Sequence, residues 1–404
     1  MYMEEQISYL IKIFQRRLAT TPMSFFRYLY GKIDWNDTLI GIKGPKGCGK
    51  STLILQHIKE TFKGKELDKV LYVSLDNLWF STHDIIDVVD YHYTHGGTHL
   101  FIDEIHYYKH WQTLLKNICD DYPGLYVVYT GSSMLEIDNS KADLSRRQIL
   151  YTLGNMSFRE YLEFTKTITL TPVSIEELLK NHIDIAMEIM PKIKVLKCFG
   201  DYLKQGCYPF TGEIKGGFYM RLNSVIQLVI ESDMPASVDV SYSTVEKTKT
   251  LLMLTVSNVP FEVNISRLAE SLGSNRDSCL KMLYTLDKGN IISLLTKDTK
   301  NYRHLTAPSK VYLYNTNLMY ALSNKIDIGT LRETFFFNQM QLLFDVRYPK
   351  TGDFLVDNKY LFEVGGQNKT YDQIKNIPQS YLAIDGIESG MGNRIPLWMF
   401  GLLY

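Results

Sequence analysis

Residues 44–52, GPKGCGKST, bring three glycines, two lysines and two hydroxyl side chains into one short loop, directly after the apolar run TLIGIK at 38–43. These residue types at this spacing suit the cradling of a nucleotide triphosphate. Gly44, Gly47 and Gly49 let backbone N–H groups curl around phosphate oxygens without side-chain clashes. The helix expected to start near Lys50 points the positive end of its dipole at the same anion. Lys50 is placed to reach the β- and γ-phosphates, and the Ser51 hydroxyl to ligate magnesium. The whole stretch Gly44, Pro45, Lys46, Gly47, Cys48, Gly49, Lys50, Ser51 and Thr52 is therefore expected to hold ATP. Cys48 reads as a small space-filling residue within the loop.

A phosphate cradle needs an acidic partner, and THLFIDEIHYYKHW at 98–111 supplies it. LFID reads as a buried strand ending in Asp103, followed at once by Glu104. Asp103 is expected to orient the magnesium shell, and Glu104 to polarise the attacking water. A further strand, LYVVYTGSS at 125–133, ends in hydroxyl residues, so Ser132 or Thr130 is the candidate sensor of the γ-phosphate. Arg146 or Arg147, ahead of the strand-like QILYTL, is the candidate to stabilise charge on the transferring phosphoryl group, in cis or across a subunit interface. Five histidines, His92, His95, His99, His106 and His110, crowd the acidic strand. Gly96 and Gly97 make HYTHGGTH a turn, and neither a cysteine nor paired carboxylates complete a metal shell there.

The elements that must position these residues are legible around them. TLIGIK is short, apolar and bounded by turn residues, as a buried parallel strand should be. STLILQHIKETFKG carries Leu53, Gln56, Ile58 and Phe62 near helical spacing and closes on Gly64. The predicted class is α/β, a P-loop parallel sheet with further, smaller modules, because 404 residues exceed one compact core. Lys+Arg and Asp+Glu both number 44, which excludes a global basic field; any contact with nucleic acid must come from a local patch. The cysteines number five and are scattered, with no zinc or redox spacing, as expected of reduced thiols. The N-terminus MYMEEQISYL is acidic where a signal peptide is basic. No apolar run approaches the roughly 20 residues that span a bilayer, so a soluble, cytoplasmic protein without a membrane partner is expected.

Four blocks, GPKGCGKST, LFIDEIH…W, TGSS and LSRR…LGNMSFREYLEF, resemble a group of AAA-type P-loop ATPases common in archaea and bacteria. The resemblance implies an ATPase core followed by a helical lid, a winged helix and a restriction-endonuclease-like end. FGDYLKQGCYPF at 199–210 is similar to the family's lid signature, which implies that Gly206 and Pro209 line the adenine side. The family often has arginine where this chain has Lys46. The expected boundaries are 1–165 for the core, 166–245 for the lid, 246–323 for the winged helix and 324–404 for the nuclease-like end.

In the lid, SIEELLKNHIDIAMEIM and RLNSVIQLVIESDM carry the apolar periodicity of core-facing helices. In the next segment Ile265, Leu268 and Leu272 share a face, Gly273 breaks the chain, and Leu280, Leu283 and Leu286 mark a second helix. That is a helix-turn-helix, with IISLL and KVYLY able to form a wing. Between 262 and 310 eight bases face five acids, a mild surplus; Lys297, Lys300, Tyr302 and Arg303 fall on the wing as candidate phosphate contacts. DNA and a protein remain alternative partners for this module.

A second chemical signal lies in YPKTGDFLVDNKYLFEVGGQNKTYDQIK at 348–375. Asp353 opens one strand and Glu363 ends another after a hairpin around Asn358, so two carboxylates are delivered side by side for a second magnesium ion. Restriction-type nucleases complete this plan with a lysine two residues after the glutamate, where this chain has Gly365. Lys369 or Lys375 is left to reach in, Gln373 resembles the family's helix-borne glutamine, and Glu333 can add an acid from the preceding helix. Three readings follow: an ATP-driven switch, as a monomer or a homo-oligomer, controlling the C-terminal modules; a nucleotide-regulated interaction protein without further chemistry; and an ATP-regulated DNA nuclease.

Overall fold

In a computed structural model, residues 2–132, 144, 146–213, 216–237, 241–256, 261–262, 264–297, 307–323 and 325–404 are described. The chain falls into two units, Met1–Gly154 with Glu231–Asp239, and Asn155–Ile230 with Val240–Tyr404.

Unit 1 is built on five parallel strands: β1 (Leu39–Gly44), β2 (Val70–Ser74), β3 (His99–Asp103), β4 (Tyr126–Ser132) and β5 (Ile149–Thr152). Their order is β2-β3-β4-β1-β5. The central strands are apolar runs buried on both faces, which a parallel sheet covered by helices requires. One face packs the helices α3 (Ile85–Thr94) and α4 (Trp111–Asp121) through Val88, Val89, Leu114, Leu115 and Ile118. The other packs α2 (Lys50–Thr61) through Leu53, Ile54 and Ile58, with Phe14 and Leu18 of α1 (Tyr2–Thr20). β4 lies between the strand that leads into the phosphate loop and the strand that carries the acids. The strand order therefore sets Thr130 and Ser132 between the two halves of the site.

Unit 2 begins with helices α5 (Phe158–Phe164), α6 (Ile175–Ile189), α7 (Val195–Gln205) and α8 (Phe218–Leu228). Ser157 and Glu160 close a reciprocal capping box on α5, the local reason for its start. The chain then passes through a π-helical turn, Val229–Asp233, into the short helix α9 (Met234–Ser237), and residues 231–239 belong to unit 1. Back in unit 2, α10 (Tyr242–Val256), β6 (Phe261–Glu262), α11 (Ile265–Ser271) and α12 (Arg276–Lys288) precede the antiparallel pair β7 (Ile292–Leu295) and β8 (Lys310–Leu313). Gly273 takes φ +52° in the turn between α11 and α12, and Leu268, Leu272, Leu280, Leu283 and Leu286 are buried. Lys300, Tyr302 and Arg303 lie outside the described residues.

After α13 (Thr316–Leu322) and α14 (Ile328–Met340), the strands β9 (Val346–Arg347), β10 (Phe354–Val356), β11 (Tyr360–Gly365), β12 (Ser380–Ile384) and β13 (Arg394–Pro396) form a mixed sheet. β9, β10 and β11 pair antiparallel, and β11, β12 and β13 parallel. Asp357 and Asn358 both take positive φ in the β10–β11 turn, the conformation that a tight hairpin turn demands. The core here is aromatic: Phe336 of α14 packs against Phe354, Phe362 and Phe400.

Candidate functional site

The phosphate loop joins β1 to α2, and its geometry depends on glycine. Gly47 and Gly49 take φ +81° and +100°, a region that side chains disfavour. A Cβ on Gly44 would lie 2.2 Å from the Leu153 carbonyl oxygen, so the loop can start there only without one. Lys50 is buried and its Nζ donates to the Gly44 and Pro45 carbonyls at 3.0 and 3.1 Å, which holds the ammonium over the loop. The loop is also pinned from outside the motif. Buried Arg27 donates to the Cys48 carbonyl and, at 2.9 Å, to that of Gly154. Cys48 itself is fully buried, in keeping with a space-filling role.

Asp103 ends β3 and is nearly inaccessible. Thr130 donates to its Oδ1, and the Tyr72 hydroxyl to its Oδ2 at 2.7 Å; Arg17 in turn donates to that hydroxyl at 2.8 Å. Glu104 follows with φ +54°, a strained conformation for a residue with a side chain and one that clusters at functional sites. Its N–H donates to Thr130 Oγ1 at 3.2 Å, so one threonine fixes both acids. Burial holds the Glu104 carboxyl above its ordinary range; Lys50 opposes this and Asp103 adds to it. A carboxyl raised in this way is closer to a useful proton acceptor near neutral pH.

Beside Glu104 lies a second layer of charge. His106 Nδ1 is 3.3 Å from Glu104 Oε2 and accepts from the Ser132 N–H at 3.3 Å. The other ring nitrogen faces Asp233 Oδ1 at 3.6 Å, and Lys46 Nζ donates to the same oxygen at 3.0 Å. Burial pushes Asp233 up, but His106 and Lys46 outweigh it and hold the carboxyl below its usual range. Burial likewise works against the Lys46 charge, and Asp233 and Glu104 more than restore it.

The sequence-predicted residues separate into those the fold gathers and those it does not. Lys50, Asp103, Glu104, Thr130 and Ser132 meet at the C-terminal ends of β1, β3 and β4. Arg146 and Arg147 do not join them. They precede β5, which runs parallel to β1, so they sit at the opposite end of the sheet. There they line a cavity of about 400 Å³ with Asp37, Thr38 and Cys119, and Arg147 pairs with Asp120 at 3.0 Å. A strand's length of about 20 Å intervenes. An in-cis finger role does not fit this placement. Gly206 and Pro209 belong to unit 2, where Gly206 caps α7 and Pro209 opens a 3₁₀ turn. Sequence reasoning missed Arg27, Tyr72 and Asp233 entirely. It met His106 only as one of a histidine group, and among the described residues no three His, Cys, Asp or Glu side chains form a metal-binding set.

Unit 2 holds its own charged cluster. The pairing of Phe354 with Phe362 sets Asp353 against Glu363 across the β10–β11 hairpin, and Val364 N–H donates to Asp353 Oδ2 at 2.8 Å. Glu363 is 3% exposed, and among the described residues its Oε2 has no hydrogen-bond partner. Its Oε1 meets Lys369 Nζ at 2.5 Å. A Cβ on Gly365 would lie 2.7 Å from Lys369 Cβ and Cγ, so the Lys369 side chain fills the space beside that glycine. Lys375 does not reach the cluster; it is exposed and lies 3.8 Å from Asp372. Gln373 is not on a helix, because residues 372–376 form turns held by the Ser380 hydroxyl, which donates to the Ile374 carbonyl at 2.9 Å. Glu333 of α14 accepts from the Tyr312 hydroxyl at 2.6 Å and from Lys310 at 3.3 Å, and Lys310 is 3.9 Å from Asp353. Burial, with Asp353 adding, pushes Glu333 above the usual carboxylate range.

Residues 36–162 match the family model of an AAA domain. This part of the chain is similar to AAA domains, and it carries a glycine-rich phosphate loop between a parallel strand and a helix. Over 92% of its length the chain is 26% identical to an uncharacterised protein of Methanocaldococcus jannaschii, covering 88% of that protein. Among solved structures it is similar to a Walker-type ATPase of Pyrococcus abyssi, with 12% identity and a TM-score of 0.38 over 71% of this chain and 91% of that one. It is also similar to AMPPCP-bound DnaA from Aquifex aeolicus, with 16% identity and a TM-score of 0.25 over 64% and 84% of the two chains. No helix among the described residues is long and apolar enough to cross a membrane.

Proposed function

We propose that the chain is an ATP-hydrolysing switch whose nucleotide state controls its C-terminal half. The observation that supports it most is the joint hold of Thr130 on Asp103 and Glu104, opposite the buried Lys50 at the head of α2. In this reading the loop N–H groups and Lys50 bind the triphosphate, and Ser132 or Thr130 reads the γ-phosphate. Ser51 and Asp103 offer a hydroxyl and a carboxylate, donors that suit magnesium, which when bound neutralises charge on the phosphates. Glu104 accepts the proton of the attacking water. The family resemblance makes Gly206 and Pro209 the candidates for the adenine side, and Arg146 or Arg147 acts only across a subunit interface, in a homo-oligomer. The test is ATP turnover by the full chain with and without DNA. Turnover lost in Lys50→Ala supports the core reading, and undiminished turnover in that variant overturns it. Stimulation by DNA links the two halves; indifference favours a protein partner.

A second reading is favoured by Glu363, whose Oε2 is a buried acceptor without a partner among the described residues. Here α10–α12 with β6–β8 act as a winged helix, and the β9–β13 sheet with α14 as a restriction-endonuclease-like domain. Asp353 and Glu363 supply carboxylates for a magnesium ion, with Lys369 standing in for the lysine absent at Gly365. Magnesium- or manganese-dependent cutting of plasmid DNA, lost in Asp353→Ala, supports this reading. A wild-type chain that cuts no DNA or RNA removes it and leaves a nucleotide-regulated binding module.

A further inference from the structure

Asp233 is a carboxylate with 1% of its side chain exposed, and it comes from a part of the chain far from every ATPase motif. It ends the π-helical turn Val229–Asp233, a rare form that recurs at functional sites. Burying such a charge is costly unless it is paired, so its partners matter. Lys46 Nζ donates to its Oδ1 at 3.0 Å and the Tyr107 hydroxyl at 3.4 Å. His106 Nε2 faces the same oxygen at 3.6 Å and has no closer hydrogen-bond partner among the described residues. A movement of a few tenths of an ångström closes that gap into a hydrogen bond. The opposite edge of the imidazole abuts Glu104 Oε2 and the Ser132 N–H. One buried carboxylate thus touches the phosphate loop on one side and, through a single ring, the acid after β3 on the other.

We propose that Asp233 is a positioning residue of the ATPase site: it holds Lys46 in the phosphate loop and, by fixing the His106 ring, sets the orientation of the Glu104 carboxylate. This rests on the ATPase reading above. The described segment 231–237, which belongs to unit 1, is entered from Ile230 of unit 2. The chain path of unit 2 therefore carries a part that the unit 1 site needs, and displacing the segment slows hydrolysis without removing the loop that binds ATP.

The experiment measures steady-state turnover of magnesium-ATP by the full chain, together with titration of a fluorescent ATP analogue. Wild-type turnover that Lys50→Ala abolishes establishes the ATPase reading; without it both the reading and the inference fall. With it, Asp233→Asn, which keeps the shape and removes the charge, lowers kcat on the order of tenfold or more. Analogue affinity and KM change far less than kcat, because Lys50 and the loop N–H groups that bind the triphosphate in this reading are left in place. His106→Gln gives a similar loss, and the double variant falls no further than the worse single one, as coupled residues do. Asp233→Glu, retaining a carboxylate, recovers part of kcat. The inference is overturned if Asp233→Asn turns over at the wild-type rate, if its loss lies in KM alone, or if the two losses multiply.

Discussion

The nucleotide site of unit 1 and the charged cluster of unit 2 use the same chemical parts, carboxylates and a lysine, but assemble them differently. In unit 1 the lysine stands at a fixed offset from the glycines, because its backbone is part of the cradle. In unit 2 only the side-chain ammonium matters, so it can arrive from elsewhere: position 365 is glycine, and Lys369 folds back over it to meet Glu363. Chemistry done by backbone ties residues to a spacing, whereas chemistry done by a side-chain tip ties them only to a point in space. The counter-charges differ as well. Lys50 donates to loop carbonyls, while Lys369 is already spent on a buried carboxylate. The first lysine has only carbonyl oxygens as its hydrogen-bond acceptors among the described residues, and the second neutralises a resident carboxylate.

The largest expected effect sharpens that contrast. Glu104→Gln should lower ATP turnover by roughly 10²–10⁴-fold while ATP still binds, since it removes a proton acceptor and keeps the loop. Equal loss of binding and turnover in a nucleotide titration would make Glu104 structural instead. Next, Lys369→Ala should cost about 1–3 kcal/mol of unit 2 stability at neutral pH, because it leaves a buried Glu363 without its cation. Denaturant unfolding of the variant and the wild-type chain at neutral pH checks this, and equal midpoints would show that Lys369 does not hold unit 2 together.

A third, smaller effect concerns His57 of α2, stacked on Trp35 with ring centroids 3.8 Å apart. Burial, with His99 nearby, lowers its pKa to about 4. The folded state thus keeps the ring neutral while the unfolded chain takes up a proton below about 6.5. Stability should be unaffected above that pH and fall as pH drops from about 6.5 toward 4, with about 2 kcal/mol lost from this group by roughly pH 5. His57→Gln should flatten the slope in that window, and an unchanged slope would reassign it to other groups. The smallest effect belongs to Arg147. Its ion pair with Asp120 is exposed, 34% on the arginine side and 43% on the aspartate side, so Arg147→Ala should shift stability by less than ~1 kcal/mol. It should leave dilute turnover unchanged. A turnover loss that grows with protein concentration would place the arginine across a subunit interface.

Much of unit 1 was legible because its signals are local. A strand, a glycine loop and a helix follow one another without interruption, and Asp103 and Glu104 close the next apolar run. The hairpin around Asn358 was legible for the same reason, since two residues at positive φ make the turn. The placement of Arg146 and Arg147 was readable in principle. Residues ahead of a parallel strand lie at the end away from those that follow its neighbour, and β5 pairs parallel to β1. The helix expected around Gln373 was not, because Ile374 is buried within a turn tied to Ser380, a contact that periodicity does not reveal.

The sequence by itself determined the phosphate loop, the paired acids, the neutral charge balance and the missing lysine at Gly365, all properties of neighbouring residues or of composition. Only the tertiary structure decided that Thr130 holds both acids, that Lys369 rather than Lys375 meets Glu363, and that Asp233 returns to Lys46 and His106. Those contacts join residues far apart along the chain. Their energy depends on burial, which removes competing water and makes a single charge partner decisive, and burial is set only when the whole chain has folded.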